Sequence, residues 1–379
     1  MNGKNMLSGL SFINRKFIEE SESVPEARKT RRIFKKPLLI AAIIAAMLLL
    51  MGAAIYTRWT LSMQNYYNPS ENAKQQAEKS GLSVMYGKSK PDDGSVLTAT
   101  DQGITVSVVQ SIVDQSRAQI VLRVEGFTPP EDYMIHPEVW MEVPATLDGN
   151  EHFWGSAGEK FDDGIIKNND GEYVYRDGTP VEENPEGFWK GRYIKDDGSM
   201  ELVIAYHFQD TSGANLGKEF QLHLTGFGIR TDVGKADTTY EKLVDGRWDL
   251  RWILKGSDDA IKIEPNVRLS DNVTLIQAEI GQLTVKTLYR TDTYWDGWKT
   301  LESLTPGLAG IKLKDGTLIQ CYSGSEGYQD QENLIYFVES HTFQGMVDMD
   351  QVEALAFYDG WEKDGASTIP VYKFIPVQK

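Results

Sequence analysis

Twenty-one consecutive residues without a charge, Pro37 to Thr57 (PLLIAAIIAAMLLLMGAAIYT), constrain this chain more than any other feature. At a helical rise of ~1.5 Å per residue they reach across the ~30 Å hydrocarbon core of a bilayer. The run predicts one transmembrane helix and divides the chain into a short tail before it and a long region after it. A cleaved signal peptide is the rival reading. It would need an unusually long basic leader of 36 residues and an apolar core longer than the usual ~7–15.

Charge predicts the orientation. Residues 1–36 carry nine Lys/Arg against four Asp/Glu, and six of those cations crowd the apolar run: Arg28, Lys29, Arg31, Arg32, Lys35 and Lys36. Positive charge beside a span stays on the cytoplasmic side, and Tyr56 and Trp59 suit the opposite interface. The expected topology is a single pass through the cell membrane, N-terminus cytoplasmic and C-terminus extracellular. The tail carries +5 and Arg58 +1 of the chain's −16, which leaves −22 for residues 59–379. Such an acidic region excludes nucleic acid as a partner, because phosphate binding needs a basic surface.

Within the tail, Met6, Leu10, Ile13 and Phe17 recur at helical spacing. They predict a short amphipathic helix that docks on a partner or lies on the inner leaflet, with a disordered tail as the plain alternative.

Past the span, residues 58–94 are polar and read as a stalk, with Ser70 capping a short helix that ends at Gly81. From about 95 onward, short segments alternate with period two between Asp-Gly turns. Ile104–Val109, Gln119–Val124, Met200–Phe208 and Glu219–Gly226 read as strands of a first β-sandwich, 95–228, with a Gly-rich excursion over 148–198. The pattern restarts at Gly246–Leu254, where Trp248, Leu250, Trp252 and Leu254 share a face, and continues to the C-terminus as a second sandwich, 229–379. The expected fold is mainly β: one N-terminal transmembrane helix followed by two immunoglobulin-like antiparallel β-sandwich domains.

Chemical signatures are sparse. The five histidines (His136, His152, His207, His223 and His341) show no metal-ligand spacing, and His207 and His223 read as strand residues. Asn168-Asn-Asp-Gly171 ends like a calcium loop but has Ile166 where a ligand is needed. The single cysteine, Cys321, rules out an intramolecular disulfide and reads as a small apolar residue. Neither a nucleophile elbow nor a phosphate loop is present, so the expectation is no enzyme and no cofactor. Phe153-Trp154, Phe188-Trp189 and Tyr294-Trp-Asp-Gly-Trp298 fall in loop-like contexts, where rings either pack locally or stack on a glycan or peptide.

Three segments together resemble a known family. They are the tail Leu10–Glu20 (LSFINRKFIEE) before a basic cluster and one span, the stretch Gly103–Ser116 (GITVSVVQSIVDQS) continuing into Ile120–Gly126 (IVLRVEG), and Gly246–Ser257 (GRWDLRWILKGS). The chain is similar to Gram-positive membrane proteins carrying the domain of unknown function numbered 4179, often followed by a second β domain. That resemblance implies a membrane-anchored, anti-sigma-factor-like regulator with an extracellular sensing region. The partners it implies are the membrane and a sigma factor at the tail. A non-catalytic cell-surface module, holding wall polymer or an envelope protein through its aromatic loops, is the competing expectation.

Overall fold

The computed structural model describes residues 59–87, 94–130, 134–137, 145–168, 170–183, 187, 189–210, 212–231, 239–292, 307–322, 326–329, 336–364 and 367–377. Two short helices open it, α1 (Leu61–Tyr67) and α2 (Glu71–Ser80). Then follow β1 (Ser83–Met85), β2 (Thr98–Asp101), β3 (Ile104–Val113), β4 (Arg117–Glu125), β5 (Met134–Pro137), β6 (Ala145–Leu147) and β7 (Trp154–Phe161). The small hairpin β8 (Ile165–Lys167) and β9 (Tyr173–Tyr175) precedes β10 (Met200–Phe208), β11 (Glu219–Thr231) and β12 (Thr239–Ile253). The remaining strands are β13 (Ile261–Ile263), β14 (Val267–Ser270), β15 (Val273–Ile280), β16 (Thr284–Thr291) and β17 (Leu308–Leu313). After them come β18 (Leu318–Gln320), β19 (Glu326–Gln329), β20 (Tyr336–Thr342), β21 (Val352–Asp364) and β22 (Ser367–Pro376).

The strands form two sandwiches, and every strand pair is antiparallel. The first faces the sheet β1-β3-β4-β10-β7, with β2 also on β3, against β12-β11-β5, with β6 also on β11. The second faces β13-β15-β16-β20-β19, with β14 also on β15, against β18-β17-β21-β22. The strand order therefore repeats. In each sandwich two short strands flank the first long one, a hairpin follows, the chain crosses to the opposite sheet, returns for two strands and crosses again. Even a β-bulge recurs, after Val108 on β3 and after Leu275 on β15.

Alternation accounts for the cores. On β10, Met200, Leu202, Ile204, Tyr206 and Phe208 turn inward with Phe220 and Leu222 of β11 opposite, in one continuous core. A second core gathers Val273, Leu275, Tyr289, Phe337, Leu355 and Phe357.

Two expectations need correction. Of the expected stalk 58–94, the part from Trp59 to Met85 is folded against the sandwiches, and Arg58 and residues 88–93 lie outside the described residues. The domain boundary lies beyond Ile253 rather than at 228–229. β12 pairs with β11 along nearly its whole length, and Trp248, Leu250, Trp252 and Leu254 fill the first core. Residues 239–245 are the far half of β12, where its side chains are mostly solvent-exposed. The excursion 148–198 contributes an edge strand as well, β7 on β10, whose small and polar outer residues hid it. Among the described residues no helix is long and apolar enough to cross a membrane, and residues 37–57 lie outside them.

Candidate functional site

The first described residues build a helical wedge between the two sandwiches. Met63 and Tyr67 share one face of α1, Trp59 just before the cap lies four residues ahead of Met63, and Ala73 and Ala77 share a face of α2. All five are buried with Leu82, against Ile112 and Val121 of the first sandwich and Leu283 and Met346 of the second. The helix ends are closed locally. Thr60 accepts from the Met63 amide, Asn68 turns left-handed (φ 40°), Ser70 accepts from the Ala73 amide, and Gly81 (φ 79°) ends α2. Alanines on α2 let its backbone come close enough for Gln282 Nε2 to reach the Ala73 carbonyl at 3.0 Å.

Buried polar groups hold the wedge on both sides. Toward the first sandwich, Gln110 Oε1 accepts from the backbone N–H and hydroxyl of Thr60 at 3.0 and 2.8 Å. Gln110 Nε2 donates to Ser83, and Glu201 accepts from the Ser62 amide at 3.1 Å. Toward the second, Asp348 accepts from Asn72 and Gln76, Gln76 Oε1 accepts from the Met349 amide at 2.9 Å, and the Met346 amide donates to the Tyr67 carbonyl.

Beside the wedge the sandwiches meet through equivalent turns. The β3–β4 turn is closed by the Asp114 amide on the Arg117 carbonyl, and the β15–β16 turn by the Gly281 amide on the Thr284 carbonyl. Thr284 Oγ1 donates to Asp114 Oδ2 at 2.6 Å across that junction. Burial holds the Asp114 carboxyl above its ordinary range, against the hydrogen bonds from Thr284, Ser116 and Arg117. A cavity of about 570 Å³ runs along α2 here, lined by Gln76, Lys79, Leu82, Asp114, Asp259 and Gln282 among others. The link between sandwiches is seated too, with the Ser257 amide on the Val113 carbonyl at 3.0 Å. A Cβ on Gly256 would lie 2.4 Å from that same oxygen, so only glycine fits there.

The tail residues Met6, Leu10, Ile13 and Phe17, and the basic cluster Arg28, Lys29, Arg31, Arg32, Lys35 and Lys36, lie outside the described residues. The loop aromatics divide. Phe153 is in the first core and Trp154 packs on it, whereas Trp189 is half exposed against Tyr173, with ring centroids 4.6 Å apart. Phe188 and residues 294–298 lie outside the description. An aromatic strip that sequence reading passed over runs along β21–β22: Trp361 (65% exposed) beside Tyr358, then Tyr372 and Phe374. In sequence an outward aromatic on an edge strand reads the same as an inward one.

The remaining candidates are engaged in local contacts. His223 Nδ1 lies 2.5 Å from Asp249, His341 3.2 Å from Glu339 and His136 3.5 Å from Glu159. Burial, and then Arg117, pushes His207 down to about 4. Asp162 pairs with Arg176, Asp163 with Lys160 and Asp197 with Arg123. Burial pushes the Cys321 thiol up to about 12, so it is protonated and inert at neutral pH. Among the described residues no three His, Cys, Asp or Glu side chains come together as metal ligands.

No family model and no curated protein matches the chain. Among solved structures it is similar to a conserved domain protein from Bacillus anthracis, at 10% identity and a TM-score of 0.33, over 78% of this chain and 96% of that one. It is also similar to the N-terminal periplasmic domain of ScsB from Proteus mirabilis, at 10% identity and a TM-score of 0.20, over 79% and 100%.

Proposed function

We propose that this chain is a membrane-anchored envelope regulator, anti-sigma-factor-like, with two immunoglobulin-like sandwiches outside and the 1–36 tail inside. The observation that carries the reading is the wedge. Only Arg58 separates the apolar run from Trp59, which is buried among residues of the first sandwich and of the second. A regulator needs such a connection. A ligand that shifts either sandwich acts on α1 and α2 directly, where a flexible stalk would absorb the change. The basic cluster and the apolar stripe of the tail support the topology and the partner site. The resemblance to the family with domain 4179 supports the sigma-factor class.

The full chain, purified from membranes of its host, tests this. Co-purification of a sigma factor that is lost in both Ile13→Asp and Phe17→Asp is the expected result. A sigma factor retained in both variants, or absent from the wild type, overturns it. The exposed strip Trp361–Tyr358–Tyr372–Phe374 favours one second reading, a surface module that stacks its rings on wall polymer. Under that reading Trp361→Ala lowers retention on isolated cell wall, and deleting residues 1–26 changes nothing.

A further inference from the structure

Among the described residues Arg117 is a buried charge with no carboxylate partner. Its side chain is 4% exposed, it forms no ion pair within 4 Å among the described residues, and its Nε is shielded from solvent with no acceptor. One nitrogen donates to the Tyr66 hydroxyl at 2.9 Å, and the guanidinium lies 5.5 Å from that ring's centre. Asp114 is near enough for its field to act on Arg117, but its oxygens take the amides of Ser116 and Arg117 and the Thr284 hydroxyl instead. An uncompensated buried guanidinium is strongly unfavourable, and a phenol hydroxyl is a weak counterpart for it.

The same arginine borders a cavity of about 390 Å³ on the outer face of the first sandwich, closed on one side by α1. Its floor is Gln119, Val203 and Ala205, and its walls are Tyr66 of α1 and Lys160 of β7. At its rim Lys160 holds Asp163 at 2.9 Å and Asp162 holds Arg176, while the Glu159 carboxylate stands 3.5 Å from His136 and in the field of Arg230. On the floor Gln119, 1% exposed, leaves Oε1 without a donor. The cavity thus carries a guanidinium with no ion-pair partner, the orphan acceptor of Gln119 beside it and an aliphatic floor, with Glu159 Oε1 a second orphan acceptor on the β7 side.

From these three features we infer that the cavity is a binding site for a small organic carboxylate that carries a hydrogen-bond donor. Its carboxylate would take the free edge of the Arg117 fork, and its N–H or O–H would satisfy Gln119. A single unmatched charge suits a monoanion better than a phosphate dianion, and the volume suits a small ligand. Tyr66 is the pivot. It accepts from Arg117 on one side and lies near Tyr322 of the second sandwich on the other, so an occupant of this cavity sits against the contact between the two sandwiches.

Binding here does not depend on what the tail holds, so the test is separate from that of the regulator. N-acetylglycine, a carboxylate with an adjacent amide N–H, is titrated into the purified full chain and followed by ligand-observed NMR, with N-methylacetamide and inorganic phosphate as comparators. Millimolar binding of N-acetylglycine alone is expected, weakened about thirtyfold or more in Arg117→Gln. Ala205→Leu fills the floor without touching the buried charge and abolishes binding while the thermal midpoint is kept. The inference is overturned by absence of N-acetylglycine binding, by equal binding in Ala205→Leu, or by tighter binding of phosphate.

Discussion

The carboxylate oxygens of Asp348 stand 2.9 and 3.0 Å from the side-chain amide of Asn72, across 276 residues of sequence. Gln76 Nε2 reaches the same carboxylate at 3.1 Å, and Ser70, the cap of α2, lies beside it. One acidic side chain of the second sandwich therefore fixes the first turn of α2, where negative charge is also favoured by the helix dipole. Asp348→Ala is expected to lower stability by about 1–3 kcal/mol, since it takes the nearer acceptor from Asn72, leaves Gln76 with Asp350 alone and removes that charge. Urea denaturation checks it, and Asp348→Asn should recover less than half of the loss.

Met63 is fully buried where α1 meets both sandwiches. Met63→Ala should cost about 2–5 kcal/mol through lost transfer energy and the cavity left behind. The same substitution at exposed Leu61 should cost about 0.5 kcal/mol or less. Thermal unfolding of the pair separates a packed wedge from a loosely attached helix.

Thr284 and Asp114 tie the two equivalent turns at 2.6 Å. Thr284→Val leaves a buried carboxylate oxygen without its donor and should destabilise by about 1–3 kcal/mol. Asp114→Asn keeps an acceptor for the two backbone amides and discards a charge that burial disfavours. Because the folded carboxyl titrates above its ordinary 3.8, Asp114 adds stability below that value and loses it as pH rises through the folded one. Loss of its field on buried Arg117 offsets that gain, so at neutral pH Asp114→Asn should stay within about 1 kcal/mol of the wild type and cost less than Thr284→Val, as urea midpoints can show.

His207 works in the opposite sense. Its folded value is depressed from 6.5 to about 4, by burial first and by Arg117 second. The neutral ring thus contributes stability above pH 6.5, and that contribution is lost as pH falls from 6.5 toward 4. Allowing for its partial exposure, the loss should be roughly 1–2 kcal/mol. Urea midpoints measured at neutral and mildly acidic pH should converge in His207→Gln and differ in the wild type.

Much of the fold was legible because two-residue alternation is local. Met200–Phe208 stands in its sheet with the bounds its alternation marks, and Ser70 and Gly81 mark the ends of α2. Alternation does not say which sheet a strand joins. Trp248, Leu250 and Trp252 share a face in either assignment, and only their partner β11 places them in the first core. α1 was missed because seven residues without a charge pair carry almost no helical signal, and its burial depends on Leu283 and Met346 far along the chain. The same distance hid the junction. Gln110, Asp114, Arg117 and Asp348 read as ordinary strand or turn residues until the fold brings them around the wedge.

Amide hydrogen exchange on the full chain, comparing wild type with Asp348→Ala, tests the central claim that residues 59–82 join the two sandwiches. Strong protection of Met63–Tyr67 and Ala73–Ala77 is expected in the wild type. In the variant that protection should fall together with protection of the turns at Asp114–Arg117 and Gly281–Thr284. Rapid exchange of residues 59–82 in the wild type, or a loss confined to α2 while both turns stay protected, would contradict it.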